Sequence, residues 1–500
     1  MTNFTRKNAW NNGGEFIDPS GNYTDLYWYA KGVNVMMSKQ LNDPTSWWFY
    51  AAIHGFSTRE WSRFPTPPSV PTTPLPDNST INLYWNQCQH QSWYFAPWHR
   101  GYLIAIENQI RTEIIKLNGP ADWALPYWNY FGTGNENYIP TAFTQKKLPD
   151  GNENPLFVTA RYGPNDDGIV YVDTQVVNEK CQNNTIYTGS NSETPPPGYG
   201  GPETGFHHSK GTSGNLENNP HNYVHGMVGG NNGMMSYPNT AGLDPIFYLH
   251  HCNIDRMWAS WNADGNNNPN SKKWLNGPAS IGEREFAMPK PDGSSWIYTP
   301  NDVDNLDKLN YTYESLKTTA TPQLESLLAQ RMNKFGVNTT TSLLENMDSE
   351  SKIELVGANQ SALKLSTTSV ETSVKLDKKS WKPVPKSFLK ASLTNIPDQI
   401  YLHLENVTGT MDSNILYVSI KEQEAGHVSL FGLGNASDID GAHGGGGLTF
   451  IIDITNIIDD IHLESGLDIE SLDVKIATKK TISNSDDITI GRVSIYRKKN

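Results

Sequence analysis

ENNPHNYVH (residues 217–225) and DPIFYLHHCNIDRMW (residues 244–258) decide how this chain of 500 residues is read. His221 and His225 stand four apart, and residues i and i+4 of a helix share a face, so two imidazoles can aim at one point. In the second run, Asp244-Pro245 fits a helix start, with Asp as N-cap and Pro at the first helical position. Phe247, His251, Ile254 and Trp258 then fall on one face, while His250 looks about 100° away. Helical phase therefore selects His251 as a third ligand and gives His250 a packing or supporting role. The intervening GMVGGNNGMMSYPNTAG (226–242) is long and glycine-rich, as a substrate-facing rim would be.

Working outward, the amino-terminal hundred residues supply what this half-site could face. SWWFYAAIHGF (46–56) places Trp47, Ala51 and His54 on one helical stripe, with Gly55 as a stop. A single histidine on an apolar face is ordinarily a core residue, so His54 matters only in company. In NQCQHQSWYFAPWHRGYLIAIENQIRTEI (86–114), Pro97 fits a first helical turn, and His99, Leu103, Ile106 and Ile110 share a face. His90 lies nine residues before His99 in an irregular approach. The region from about 117 to 215 reads as loops and turns. There His207–His208, flanked by glycine, reads as a surface pair.

A formal charge of −13 disfavours a nucleic-acid or anionic-membrane binder. No apolar run reaches membrane-spanning length, and the opening MTNFTRKNAWNN lacks the apolar core of a signal peptide. Three widely spaced cysteines, Cys88, Cys181 and Cys252, make no disulfide framework. A cytoplasmic location is the expectation.

The length suggests two domains. Residues 1–320 form the helical, histidine-bearing part with long loops. Residues 321–385 read as a Ser/Thr/Lys-rich linker with a short helix around 322–347. From 386 to 500, IYLHLENV, NILYVSI, HVSLFGL, LTFIIDI, LDVKIAT and ITIGRVSIYR are short β-branched runs divided by turns. They predict an antiparallel β-sandwich or barrel.

Six histidines in two groups of three, mostly on core-facing stripes, are costly to bury unless paired or bound to metal. All-imidazole donors suit copper, zinc, iron or nickel. No carboxylate lies at ligand spacing, as in an HExxH zinc site or a two-His-one-carboxylate iron site. An all-histidine dinuclear site points towards copper and dioxygen.

These residues resemble the type-3 copper family of tyrosinases, catechol oxidases and molluscan haemocyanins. His54 with His90 and His99 (H-x8-H in HQSWYFAPWHR) matches its first-copper motif. His221, His225 and His251 match the second, with the aromatic, Pro and Asp-Arg residues around them. The likeness runs from about Arg6 to Tyr311-Thr312-Tyr313, which resembles the tyrosine motif closing plant catalytic domains. The carboxy-terminal β region resembles, more distantly, the shielding domain of plant and some bacterial polyphenol oxidases.

The resemblance implies a four-helix bundle around two copper ions that use dioxygen to oxidise small phenols. It implies a thioether between Cys88 and His90, as in fungal tyrosinases and molluscan haemocyanins; plant enzymes place that cysteine farther upstream. Glu217 matches the water-holding glutamate of the family and Asn222 the asparagine that partners it in members active on monophenols. Taken alone, Glu217 could be a helix-start carboxylate and Asn222 an exposed polar residue. Gly226 would leave room above the second copper, Pro238 falls where plant enzymes carry a bulky Phe gate, and Met234 is expected in the substrate pocket with them. Asp255, four residues after His251, could orient a ligand or pair with an arginine. Leu430, Phe431 and Leu433 are candidate shield residues. The expected activity is monophenol hydroxylation with o-diphenol oxidation. A catechol oxidase confined to diphenols is the nearest alternative, and an oxygen carrier is the next; oligomeric state is left open.

Overall fold

The computed structural model describes residues 4–64, 69–189, 197–206, 211–317, 324–337, 353–392, 396–440, 444–480 and 487–499. His207–His208 lie outside them. The chain divides into two units: residues 1–182, 204–206 and 216–319 form the first, and residues 183–203, 207–215 and 320–500 the second.

The first unit is mainly helical. Its site is built by α1 (Asp25–Met37), α2 (Trp47–His54), α3 (Phe95–Lys116), α4 (Tyr223–Gly229) and α5 (Ile246–Ala263). Every residue of α2 is buried, so the single stripe expected there is instead a helix enclosed on all sides, which its unbroken WWFYAAI run permits. Helix α3 starts two residues before Pro97, where a missing N–H leaves no intrahelical bond unmade. Helix α5 begins one residue later than expected, with Pro245 in the capping position. Asp244 still accepts the Ile246 N–H at 3.0 Å and forms a buried pair with Arg161.

The ends of this unit meet in a short parallel pair, β1 (Phe4–Arg6) with β2 (Tyr311–Tyr313). The pairing places Arg6, Tyr311 and Tyr313 around Asp255 of α5. Asp255 takes Arg100 of α3 at 2.5 Å, Arg6 at 3.2 Å, Tyr311 at 2.6 Å and Tyr313 at 2.5 Å. Burial alone would raise its carboxyl, but Arg100 and Arg6 outweigh that and hold it below the usual carboxylate range. Asp255 thus pairs with arginines and no histidine, and through Arg100 it ties α3 to α5.

The second unit is one antiparallel nine-stranded sheet, nearly closed into a barrel, with its apolar side chains inside. Its strands are β3 (Ile353–Ala358), β4 (Leu363–Leu365), β5 (Ser369–Leu376), β6 (Gln399–Gly409), β7 (Ile415–Ile420), β8 (Gln423–Ser429), β9 (Leu448–Asp453), β10 (Ser471–Thr478) and β11 (Ile488–Lys498). They run in the order β8-β7-β10-β5-β3-β11-β6-β9, with β4 also on β11. The edge strands β8 and β9 approach without pairing, and a Cβ on Gly426 would lie 3.1 Å from Ile452.

The linker expected over 321–385 is therefore corrected from Ile353 onwards. Residues 353–376 form three strands, and β5 is held between β10 and β3. Lys364, Ser373 and Lys375 face out, while Val356, Leu365, Val374 and Leu376 enter the core. Alternation, not overall polarity, decides strand formation there. The short helix is present as α6 (Leu324–Lys334), whose Arg331 forms a buried pair with Asp459. Asp459 sits on α7 (Thr455–Ser465), a helix not expected within the β region. Leu430 and Leu433 belong to the hydrophobic core of this unit, and Phe431 is buried as well.

Candidate metal centre

Seven histidines of the first unit gather in two groups: His54, His90 and His99 with Cys88, and His221, His225 and His251 with His250. All seven rings are buried. His225 Nε2 lies 3.1 Å from His221 Nε2 and 3.4 Å from His251 Nε2. Neighbouring nitrogens that close have a common target. The two groups adjoin, because the rings of His99 and His251 stack at 4.4 Å.

Four of the rings are held by the nitrogen that faces away. Nδ1–H of His54 donates to the Pro238 carbonyl at 2.8 Å, of His99 to Phe95 at 2.8 Å, and of His225 to Met235 at 2.9 Å. Nδ1–H of His221 donates to the side-chain oxygen of Asn222 at 2.8 Å. A carbonyl can only accept, so each ring carries its proton on Nδ1 and leaves the Nε2 lone pair free. Nε2 of His54 is buried with no hydrogen-bond partner, the state a metal would complete.

Burial keeps these rings neutral. Desolvation brings His54 down to about 4, and it pushes His99, His221, His225 and His251 well below the usual histidine value, with neighbouring imidazoles adding to the effect. Neutral nitrogen donors without carboxylates fit copper. The residues thus meet the requirements of two copper ions: His54, His90 and His99 would hold one, and His221, His225 and His251 the other.

The backbone explains how sequence segments far apart reach one place. His221 is the last but one residue of a wide π-type turn, Glu217–Asn222, that runs directly into α4 and His225. Helix α2 ends against the segment after Tyr237. A Cβ on Gly55 would lie 2.8 Å from the Asn239 backbone, so glycine is needed for His54 to reach Pro238. Phe247 packs on both groups, 4.8 Å from the His54 ring and 4.1 Å from that of His251.

The remaining expected residues have definite places. Cys88 Sγ is 3.5 Å from His90 Nε2 and 3.4 Å from His99 Nε2, and burial, with the charge of Glu217 adding, pushes its thiol well above the usual range. Glu217 is buried and both its oxygens accept the Gln91 N–H, at 2.9 and 2.8 Å. Gly226 and Met234 are buried. Pro238 contributes the carbonyl that holds His54, a bracing role not visible at the sequence level. His250 packs against the second group: its ring lies 5.4 Å from His221 and 5.1 Å from His225, and neither nitrogen makes a hydrogen bond. A cavity of about 830 Å³ lined by Trp10, Tyr138, Phe143, Phe157 and Val170 contains none of these histidines.

Two adjoining groups of neutral imidazoles in a helical unit define a dinuclear, all-histidine metalloprotein. Residues 44–264 match the common central domain of tyrosinase, and residues 352–498 match a domain family of unknown function. A tyrosinase of Hahella sp. (strain CCB-MM4) is 31% identical over 495 residues, covering 94% of this chain and 96% of the relative. The chloroplastic polyphenol oxidase of Malus domestica is 30% identical over 191 residues, 35% of this chain and 30% of that protein. Among solved structures, latent apple tyrosinase aligns over 99% of this chain and 97% of its own, with a TM-score of 0.54 at 18% identity. Recombinant latent aurone synthase aligns over 100% and 90%, with a TM-score of 0.57 at 18% identity.

The chain belongs to the tyrosinase family. It carries a dinuclear copper site and is an oxidoreductase for copper-dependent oxidation of phenols.

Proposed function

We propose that this enzyme is a tyrosinase in the full sense: with dioxygen it hydroxylates monophenols to o-diphenols and oxidises o-diphenols to o-quinones. The copper pair, when bound, supplies the dioxygen chemistry. The protein's share is to hold both ions, keep a phenol ring beside them and remove the phenolic proton before hydroxylation. The observation that carries the reading is Glu217, a buried carboxylate on the turn that delivers His221. A carboxylate there can take that proton through ordered water. Asn222 supports it by fixing His221. The Hahella relative, named a tyrosinase and matched over nearly its whole length, is consistent with the same activity.

Parallel kinetics on a matched monophenol and diphenol decide the matter. The expected result is quinone from both, with a lag on the monophenol. Turnover of the diphenol alone would reduce the enzyme to a catechol oxidase. The reading includes a Cys88–His90 thioether, supported by the contact of Sγ with the His90 ring. Forming it replaces S–H and C–H by one S–C bond, and the two electrons and two protons released pass to dioxygen, which leaves as hydrogen peroxide, so the crosslinked peptide should weigh two hydrogens less than the sum of its residues.

A further inference from the structure

The loop that carries His90 is held in an unfavourable conformation by a residue from the other half of the site. Gln91, immediately after His90, has φ of +53°, in the left-handed region that costs any residue with a Cβ. Its own side chain does not hold the turn: the side-chain oxygen of Gln91 is buried and makes no hydrogen bond. The backbone N–H does. It points at Glu217, and both carboxylate oxygens receive it, at 2.9 and 2.8 Å. Gln91 is 4% exposed and Glu217 1%, so the bond is made out of water, where a charged acceptor is strongest. Among the first group, His54 and His99 sit on helices and donate Nδ1–H to backbone carbonyls, whereas His90 comes from this loop.

We propose that Glu217 is a positioning residue for the first copper: by accepting the Gln91 N–H it fixes the turn that aims His90. A residue that leads into the second group in sequence is thereby a brace for the first. The inference rests on the dinuclear copper site, and it does not depend on whether monophenols are hydroxylated. It separates two tasks of one carboxylate. Bracing needs an acceptor, which an amide retains; taking a phenolic proton needs a base, which an amide is not.

The test uses full-length protein and three variants, Glu217→Gln, Glu217→Ala and Glu217→Ala with Gln91→Gly. Copper per chain and copper affinity are measured by competition with a chelator. An isolated Cu(II) ion has one unpaired electron and gives an electron paramagnetic resonance signal, while a coupled pair is silent. In Glu217→Ala, affinity for one of the two ions should fall about 10–100-fold, the usual effect of losing a support behind a ligand. The signal of an isolated ion should appear. Glu217→Gln should bind two ions with wild-type affinity and stay silent. Glycine adopts positive φ without strain, so the double variant should recover the second ion. If Glu217→Ala does not fold, the double variant decides alone: two ions support the brace and one ion overturns it. Wild-type copper binding in Glu217→Ala would overturn it too, as would equal losses in the Gln and Ala variants. Copper unchanged with monophenol turnover lost would leave Glu217 its base role only, so the two roles fail separately.

Discussion

The two histidine groups are assembled by different means. In the second, His221, His225, His250 and His251 all come from two helical segments, and its outward nitrogens are held by Asn222 and Met235 of the same stretch. In the first, His54 ends α2, His90 sits on a loop and His99 lies in the second turn of α3. Two of its supports, Pro238 and Glu217, belong to the stretch of sequence that carries the second group. The second group is thus largely local, and it serves as the scaffold on which the first is completed.

The largest effects test whether the groups are equal partners in chemistry despite that asymmetry. His99→Ala and His225→Ala should each retain at most one copper per chain and reduce diphenol oxidation to background, as followed by metal analysis and oxygen uptake. Substantial turnover by either variant would mean that one group suffices, and the comparison would lose its functional meaning.

A somewhat smaller effect tests what joins the groups. Asp255 follows His251 by one turn and binds Arg100, the residue after His99. With Arg6 and two tyrosines it forms a buried network in which removing the Asp255 charge leaves Arg100 without its carboxylate and Arg6 with Glu107 alone. Asp255→Asn should cost about 3–5 kcal/mol of stability. That loss would appear as a lower urea midpoint at unchanged slope. It should weaken both copper sites together; loss confined to one group would show that α3 and α5 are positioned independently.

The difference between the groups also explains what could be read from the sequence. His221, His225 and His251 are legible because helical period converts spacing directly into direction. For the first group, spacing in the sequence fixes only the face of His54 and His99, and the H-x8-H likeness was needed to add His90. The braces were out of reach for a physical reason. The carbonyls of Pro238 and Met235 and the N–H of Gln91 are backbone atoms: every residue type offers the carbonyl, and every type but proline the N–H. Phase also gives His250 a packing or supporting role, and its ring packs beside His221 and His225. In the second unit, polar composition over 353–376 concealed strands whose inward residues are Val356, Leu365, Val374 and Leu376.

The smallest of these effects sharpens the idea that the second group is locally supported. His221 is held by Asn222, its neighbour in sequence, where His54, His99 and His225 rely on main-chain carbonyls that no substitution removes. Asn222→Ala deletes that acceptor and lets the His221 ring turn, or take its proton on the nitrogen that should face copper. A support of this kind is worth about 10–100-fold in metal affinity, or about 1.4–2.7 kcal/mol. Copper titration of the variant should show that loss at one ion only, the ion that His99→Ala retains. Asn222→Asp supplies an acceptor in the same place and should restore binding. If Asn222→Ala instead weakened the ion lost in His99→Ala, support would cross from the second group to the first here as well, and the second group could no longer be called self-contained.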